Sequence, residues 1–277
     1  MDKPQAVLKG TALSSQGRET GEDARLVLET AMEAGHLLLE NGAEIFRVEE
    51  TMTRICRHFG VEDSQFFVLS NGIFTTGGYS RQFAKVQHIP VKGTRLDKVV
   101  AVNQLSREIE SGKYTPEEVR LELEQIRRMP DKPLLLQFLA SGVGSAAFCC
   151  LFGGTLTEGA VAFIAGFFLY IFMKLVAFPH LSRIMAHILG GAMVTAICLT
   201  ARHFGLGERL NPMIIGAIIP LVPGVSFTNG IRDIADGDYI SGSVRLLDAI
   251  LVIVSVAIGV GIVLTAVGRL GGGALWK

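Results

Sequence analysis

The sequence predicts an α-helical polytopic membrane protein with about five transmembrane segments, one of them broken, and an N-terminal soluble α+β domain. Hydrophobic residues make up 49% of the 277 residues and the mean hydropathy is +0.41, which is high for a soluble protein. The charge is also unevenly distributed, because 18 of the 26 basic and 20 of the 26 acidic residues precede Leu134. We therefore predict a flexible tail at 1–21, a cytoplasmic α+β domain at 22–133 and a transmembrane helical domain at 134–277.

Regularly spaced apolar residues predict four helices in the N-terminal domain. They recur at steps of three and four, as in a helix that packs one face on a core, over residues 24–39, 45–59, 96–109 and 116–129. The last helix begins with Thr115-Pro116-Glu117-Glu118, which provides an N-cap, an N1 proline and the reciprocal acid of a capping box. The stretch before the first helix is rich in Gly, Ser, Thr and Gln without periodicity, so it is predicted to be a tail.

The apolar pattern changes after the second helix. Phe66–Leu69 and Ile73–Thr76 flank Asn71-Gly72, a pair that favours the two positive φ angles of a type I′ hairpin turn. The sequence therefore predicts a β-hairpin that turns at Asn71-Gly72, followed by a third strand from Phe83 to Val91.

Five apolar segments follow, at about residues 134–152, 159–178, 184–201, 212–228 and 244–267. A hydrocarbon core of about 30 Å needs roughly 20 apolar residues to cross it, and the fourth segment is short. It also contains Pro220, Pro223 and Gly224, which oppose a continuous helix. We expect a broken or re-entrant helix of the kind that lines solute pathways in transporters; a proline-kinked structural helix is the alternative.

The distribution of basic residues predicts the orientation. Arg127, Arg128 and Lys132 precede the first span, whereas the loop at 153–158 contains neither lysine nor arginine. The positive-inside tendency therefore places the N-terminal domain in the cytoplasm, although two arginines within 202–209 would fall outside.

Residues 229–245 carry charges of both signs in what the sequence suggests is a short loop between two apolar segments. A charge at the bilayer centre costs about 2.5 to 3.5 kcal/mol, so these groups should pair, face water or contact a solute. Because arginine can donate two hydrogen bonds to one carboxylate, the predicted substrate-binding residues are Asn229, Arg232, Asp233, Asp238 and Arg245. The alternative is that they only pair with each other or reach the headgroups.

Two further sets of polar residues are candidates. Asp248 and His187 are predicted to couple proton movement to transport, since a desolvated carboxyl or imidazole can titrate. At the junction of the first two helices, a second polar site could be formed by Asn41, Glu44, Arg47, Glu49 and Glu50. Glu and Arg at helical spacing are more often exposed ion pairs, and that reading stays open here.

Several of these motifs occur together in one known family. They are Asn41-Gly-Ala-Glu44-Ile-Phe-Arg47-Val-Glu49, Pro220-x-x-Pro223-Gly224, Asn229-Gly-x-Arg232-Asp233 and Gly237-Asp238-Tyr239-x-Ser241-Gly242. With this combination the chain resembles the threonine/serine exporter (ThrE-like) family over about residues 22–267. It is similar above all to the larger subunit of the family's split form, a component of succinate export.

The resemblance implies a transporter subunit in a bacterial inner membrane, with a cytoplasmic N-terminal domain on a five-span bundle. The substrate would be a small carboxylate-bearing metabolite, either a succinate-like dicarboxylate or threonine and serine. Single-chain members carry a second, C-terminal membrane module. The resemblance therefore implies a small membrane protein subunit as partner, in a higher oligomer, and no cofactor.

Other classes of protein fit the sequence less well. A membrane-anchored enzyme or sensor would need its active site in residues 22–133, where the sequence shows no nucleophile–base pair, phosphate loop or metal set. Asp233-x-x-Asp236-x-Asp238 could bind a cation but lacks the later glutamate of a calcium loop, so no metal site is predicted. The net charge of zero, with no basic block, argues against nucleic acid.

Overall fold

The computed structural model describes residues 6–77, 83–90, 93–177 and 181–270. The chain divides into two compact units, one of Met1–Pro130 with Val225–Leu246 and one of Asp131–Gly224 with Leu247–Lys277. The sequence prediction assigned all of 134–277 to the membrane domain, whereas packing groups Val225–Leu246 with the N-terminal residues.

The first unit contains four N-terminal helices: α1 (Ala6–Glu40), α2 (Ile45–His58), α3 (Leu96–Glu110) and α4 (Pro116–Arg127). Helix α1 begins at Ala6, within the residues for which the sequence predicted a flexible tail. No proline interrupts residues 6–40, and each residue added to an existing helix gains a backbone hydrogen bond. Residues 1–5 lie outside the described part of the chain.

The three strands are β1 (Ser64–Leu69), β2 (Gly72–Gly77) and β3 (Phe83–His88), paired antiparallel in the order β1-β2-β3. Leu69 pairs with Gly72, so the turn consists of Ser70-Asn71 and the predicted turn at Asn71-Gly72 is wrong by one residue. The burial of side chains explains this register, because it sets Val68 opposite Ile73 and both are buried. The predicted end of the third strand, Val91, lies outside the described residues.

Helices α1 and α2 pack closely, and this contact fixes the chain between them. A Cβ atom on Gly35 would overlap the sulfur of Met52, so a larger residue there would require the Met52 side chain to move. The sheet covers the same core, where Ile73 and Met52 are fully buried. At the end of α1, Gly42 has a φ angle of +83°, a left-handed C-cap conformation that glycine adopts without strain. The chain can therefore turn sharply into α2.

The second unit contains α5 (Leu134–Leu151), α6 (Leu156–Ile171), α7 (Arg183–His203) and α8 (Leu210–Ile218). A π-helical turn at Phe172–Ala177 follows α6. Glu158, which the sequence analysis did not single out, is buried in this unit. It accepts the backbone N–H groups of Thr155 and Arg209 at 2.7 and 2.8 Å, so it caps α6 and fixes the chain that leads into α8.

The fourth apolar segment is broken, as predicted. A 3₁₀ turn at Ile219–Leu221 follows α8, and α9 (Gly224–Ala235) starts in a new direction. Val222 between them is extended, with φ −69° and ψ 122°, because Pro223 disfavours helical backbone in the residue before it. The two parts are bent by 66°.

The last helix, α10, runs from Tyr239 to Leu270. Within the described residues, four helices are long and apolar enough to cross a membrane, or five if the bent pair counts as one span. This confirms the predicted fold class of a polytopic helical protein with one broken segment and an N-terminal α+β domain. The fourth segment extends from Leu210 to Ala235 and is longer than the predicted 212–228.

Candidate functional site

The charged residues between the broken segment and the last span belong to two helices and the turn between them. The predicted loop is therefore wrong, because the chain is helical to Ala235 and again from Tyr239. Two backbone hydrogen bonds end α9. The N–H of Gly237 donates to the carbonyl oxygen of Ile234 at 3.0 Å, and the N–H of Asp238 donates to the backbone carbonyl oxygen of Asp233 at 2.8 Å. Gly237 has a φ angle of +94°, which leaves only a short reversal between α9 and α10.

Two glycines let α9 and the start of α10 cross at close range. A Cβ atom on Gly242 would lie 2.6 Å from Ile234 Cγ1 and 2.7 Å from the oxygen of Gly230. A Cβ atom on Gly230 would in turn lie 3.0 Å from Leu246. This crossing brings the polar end of α9 beside the first two turns of α10.

The resulting helix pair contacts the junction between α1 and α2. The amide Nδ2 of Asn229 donates to the carbonyl oxygen of Gly42 at 3.0 Å. The guanidinium Nη2 of Arg245 donates to the carbonyl oxygen of Ala43 at 2.9 Å. Two motifs that are about 190 residues apart in the sequence therefore form one polar cluster.

Asp233 lies at the centre of this cluster. Its Oδ1 accepts a long hydrogen bond of 3.4 Å from the backbone N–H of Ile45, the first residue of α2. Its Oδ2 lies 3.2 Å from Nη1 of Arg245, and the two side chains are only 1% and 11% exposed. Oδ2 has no partner in hydrogen-bond geometry among the described residues, so its attraction to Arg245 is Coulombic. Asp233 thus neutralises a nearly buried arginine and caps α2 from another helix.

Glu44 makes the reciprocal contact. It occupies the N-cap position of α2, but its side chain makes no capping hydrogen bond. Its carboxylate instead contacts the guanidinium of Arg232 on α9 and lies 3.4 Å from Nε of Arg47. Each of these two helices is therefore contacted by a carboxylate from the other. Asp233 of α9 caps α2, and Glu44, the N-cap residue of α2, binds Arg232 of α9.

Two further acids, Glu49 and Asp238, belong to the same cluster. The carboxylate of Glu49 accepts the backbone N–H of Val68 at 3.1 Å, and Asp238 accepts that of Ser241 at 3.2 Å, which caps α10. Burial raises the pKa of the Glu49 carboxyl; the bond from Val68 opposes this rise, and the carboxylate of Asp238 adds to it. The cluster therefore holds more acid than base, and burial favours the neutral form of Glu49.

The outer face of α2 has a different character. Glu49 also lines an open groove of about 560 Å³ that contains Arg54 and Glu110. Arg54 pairs with Glu50 at 2.6 Å, four residues before it, as in an ordinary exposed ion pair. Of the junction residues considered in the sequence, Glu44 joins the cluster, whereas Glu50 belongs to the exposed face.

The two residues predicted for proton coupling lie in the second unit. Both carboxylate oxygens of Asp248 are 2.8 Å from Nη1 of Arg183. The ring nitrogen Nδ1 of His187 lies 2.6 Å from the carbonyl oxygen of Arg183. Asp248 and Arg245 are three residues apart on α10 but pair with different residues. Arg183 thus connects both candidates.

Sequence reasoning missed the Glu44–Arg232 pair and the backbone contacts of Arg245. Nothing in the local pattern links Glu44 to a residue 188 positions away, and a carbonyl oxygen carries no sequence signal. Two carboxylates of the possible cation-binding motif Asp233-x-x-Asp236-x-Asp238 have other partners, because Asp233 lies beside Arg245 and Asp238 caps α10. Among the residues with described positions, no group of three or more His, Cys, Asp or Glu side chains could hold a metal ion.

Comparison with known proteins is consistent with a transport role. The chain is 24% identical over 247 residues to a protein of Corynebacterium glutamicum named threonine/serine exporter, covering 85% of this chain and 50% of the relative. It is 25% identical over 254 residues to an Escherichia coli K12 protein named "Probable succinate transporter subunit YjjP", covering 90% and 98%. The protein of that name from Klebsiella aerogenes is 24% identical over 251 residues, covering 90% and 97%.

The chain thus spans about half the length of the exporter and nearly all of the transporter subunits. No solved structure is significantly similar to it. The family description of threonine/serine exporters (ThrE) matches residues 29–267. Together with its candidate spans, this match shows that the chain is a multi-pass membrane protein that belongs to the threonine/serine exporter family, a family of transporters.

Proposed function

We propose that this chain is a subunit of a secondary transporter that exports a small carboxylate-bearing metabolite across the bacterial inner membrane, with its N-terminal domain in the cytoplasm. The substrate is a succinate-like dicarboxylate or threonine and serine. One observation carries the proposal: Arg232, on the helix that follows the break, is 52% exposed and binds a carboxylate.

Arg232 has the chemistry and the access that a substrate contact requires. Its planar guanidinium can donate two parallel hydrogen bonds to one carboxylate. Glu44, its partner here, presents the chemical group that every proposed substrate carries. Arg245 differs, since it is almost buried and is held by Asp233 and the oxygen of Ala43. We therefore assign substrate contact to Arg232 and positioning to Arg245.

The remaining predicted residues have supporting roles in this proposal. Asn229 and Asp233 hold the α1–α2 junction, and Asp238 caps α10 near the substrate route. Pro220, Pro223 and Gly224 form the break, which lets a helix start within an apolar segment. Free N–H groups at such a start favour an anion. Arg232 lies on the helix that starts at this break.

Export against a gradient needs a coupled ion, for which we propose a proton carried by Asp248 and His187. Both lie at Arg183, so protonation of Asp248 would release the arginine that holds it. The titration of His187 would then act on the same turn of α7 through its contact with the Arg183 carbonyl.

We further propose that the chain works with a small membrane protein subunit, within a higher oligomer. Two relatives of nearly equal length are named transporter subunits, whereas the relative named exporter is about twice as long as the matched region. The second half of a single-chain exporter would then correspond to the partner.

The proposal is tested by efflux of labelled succinate, threonine and serine from bacterial cells. The efflux of each substrate is measured without the chain, with the chain alone, and with the chain and the proposed small membrane subunit. We expect faster efflux of at least one substrate when both subunits are present. Unchanged efflux of all three, with both proteins present in the membrane, would exclude these substrates and the proposed function.

A further inference from the structure

We propose that Glu44 is an internal competitor of the substrate: its carboxylate occupies the guanidinium of Arg232 when no substrate is bound, and the substrate carboxylate displaces it. This inference rests on the proposed function and adds a specificity-determining residue to it. Its starting point is the pairing of Glu44 with Arg232 across 188 residues of sequence.

Glu44 does not make the contact that its position in the chain favours. An acid at the N-cap of a helix normally stabilises that helix by accepting its free N–H groups and by interacting with its dipole. Glu44 occupies this position in α2 without making a capping bond. Asp233 supplies the carboxylate at Ile45 instead. The carboxylate of Glu44 therefore makes no capping bond to α2 and contacts Arg232 and Arg47 instead.

Displacement of Glu44 from Arg232 would leave the other contacts of the cluster in place. Arg47 lies 3.4 Å from the second oxygen of Glu44, so the displaced carboxylate keeps a cationic partner. Asp233 continues to cap α2, and Arg245 continues to bind Ala43 and Asp233. Displacement therefore replaces the carboxylate of Glu44 at Arg232 by that of the substrate and leaves the rest of the cluster unchanged.

The guanidinium of Arg232 is accessible to a solute. Arg232 is 52% exposed, whereas the side chain of Arg245 is 11% exposed. A solute can therefore approach the first guanidinium without unpacking the cluster. Competition from a tethered carboxylate reduces the apparent affinity in proportion to the fraction of molecules in which Glu44 does not occupy Arg232. For an exporter, weaker binding also favours release of the substrate.

The test measures efflux rate against the internal concentration of whichever labelled substrate, succinate, threonine or serine, the unmodified pair exports. Removing the competing charge in Glu44→Gln should lower the half-saturating concentration about two- to fivefold, the range expected for a partly exposed ion pair. Glu44→Asp keeps the charge and should stay near the unmodified value. Glu50→Gln, an exposed carboxylate on the same helix, is the matched control and should change nothing.

A second variant moves the same quantity in the opposite direction. Arg47→Ala removes the alternative partner of Glu44, so Glu44 should bind Arg232 more tightly and the half-saturating concentration should rise. This result does not depend on how well Glu44→Gln folds. Membrane abundance is measured for each variant, because a structural role would lower abundance and leave half-saturation unchanged.

The outcomes separate the two proposals. If the unmodified pair exports none of the three substrates, the proposed function fails, and this inference fails with it. If it exports one and Glu44→Gln leaves the half-saturating concentration unchanged or raises it, the inference alone is overturned. The same holds if Arg47→Ala leaves that concentration unchanged or lowers it.

Discussion

Asp233 and Arg245 form the most buried ion pair among the described residues, with 3.2 Å between Oδ2 and Nη1. The pair joins two helices that are adjacent in sequence, yet each residue also contacts the distant α1–α2 junction, at Ile45 and Ala43. Removing either partner leaves an uncompensated charge with little water around it. The structural integrity of the cluster should therefore depend on both residues together.

We predict that Asp233→Ala lowers the free energy of unfolding by about 3 kcal/mol, as expected when one partner of a buried ion pair is removed. The double variant with Arg245→Ala should lose less than the sum of the single variants, because the buried charge is gone. Unfolding of the purified protein in detergent provides the double-mutant cycle. The exposed pair Arg25–Glu29 is the control, with coupling of about 0.5 kcal/mol or less; equal coupling in the two cycles would contradict the prediction.

The close crossing of α9 and α10 makes a second prediction. Gly242→Ala places a Cβ atom 2.7 Å from the backbone oxygen of Gly230, and overpacking of this kind destabilises by about 1 to 3 kcal/mol. Efflux should fall as well, since Arg245 is one turn further along α10. Gly261→Ala on the same helix has no atom within 4 Å of the added carbon and should leave both stability and efflux intact. Similar effects at the two positions would show that the crossing is unimportant.

A third prediction follows from the half-buried carboxyl of Glu49. Its pKa is raised in the folded protein, chiefly by burial, so the neutral form is favoured on folding. This contribution to stability is present below the ordinary pKa of glutamate and is lost as the pH rises through the raised value. Glu49→Gln should therefore gain stability relative to the unmodified protein as the pH rises across that window. Thermal unfolding between about pH 4 and pH 8 tests this, and a constant difference would contradict it.

The proposed proton coupling predicts a specific defect. Asp248→Asn removes the titratable carboxyl at Arg183, so efflux should no longer respond to an imposed pH gradient while protein remains in the membrane. The comparison is with Asp236→Asn, an acid in the α9–α10 turn, which should respond as the unmodified protein does. A normal gradient response in Asp248→Asn would remove this residue from the coupling role.

Most helices and strands could be predicted from the sequence, because the residues that start or end them lie within a few positions of the affected backbone. The capping box of α4, with Thr115 and Glu118 bonded reciprocally, and the break at Pro223 follow from side chains next to the affected backbone. The turn of the hairpin did not follow, since burial of Val68 and Ile73 sets the register and overrides the preference of Asn71-Gly72. Local pattern also suggested a loop at 229–245, where helices form.

The candidate site shows the same limit more clearly. Arg232, Asp233 and Arg245 could be selected from the sequence, because charges near apolar segments are uncommon. Their partners could not, since Glu44 and the carbonyl oxygen of Ala43 come from the far end of the chain. Pairing across such a distance is fixed by tertiary packing, and a single sequence carries no record of it.

Efflux by an Arg232 variant tests the central claim most directly, because Arg232 is the residue of the cluster that we propose contacts the solute. With the small subunit present, Arg232→Ala should abolish export of the labelled substrate while its membrane abundance stays at the level of Arg25→Ala, a surface control. Arg232→Lys keeps the charge but not the planar fork and should retain a small part of the activity. Full efflux by Arg232→Ala would contradict the account, since the exposed guanidinium would then have no part in the passage of substrate.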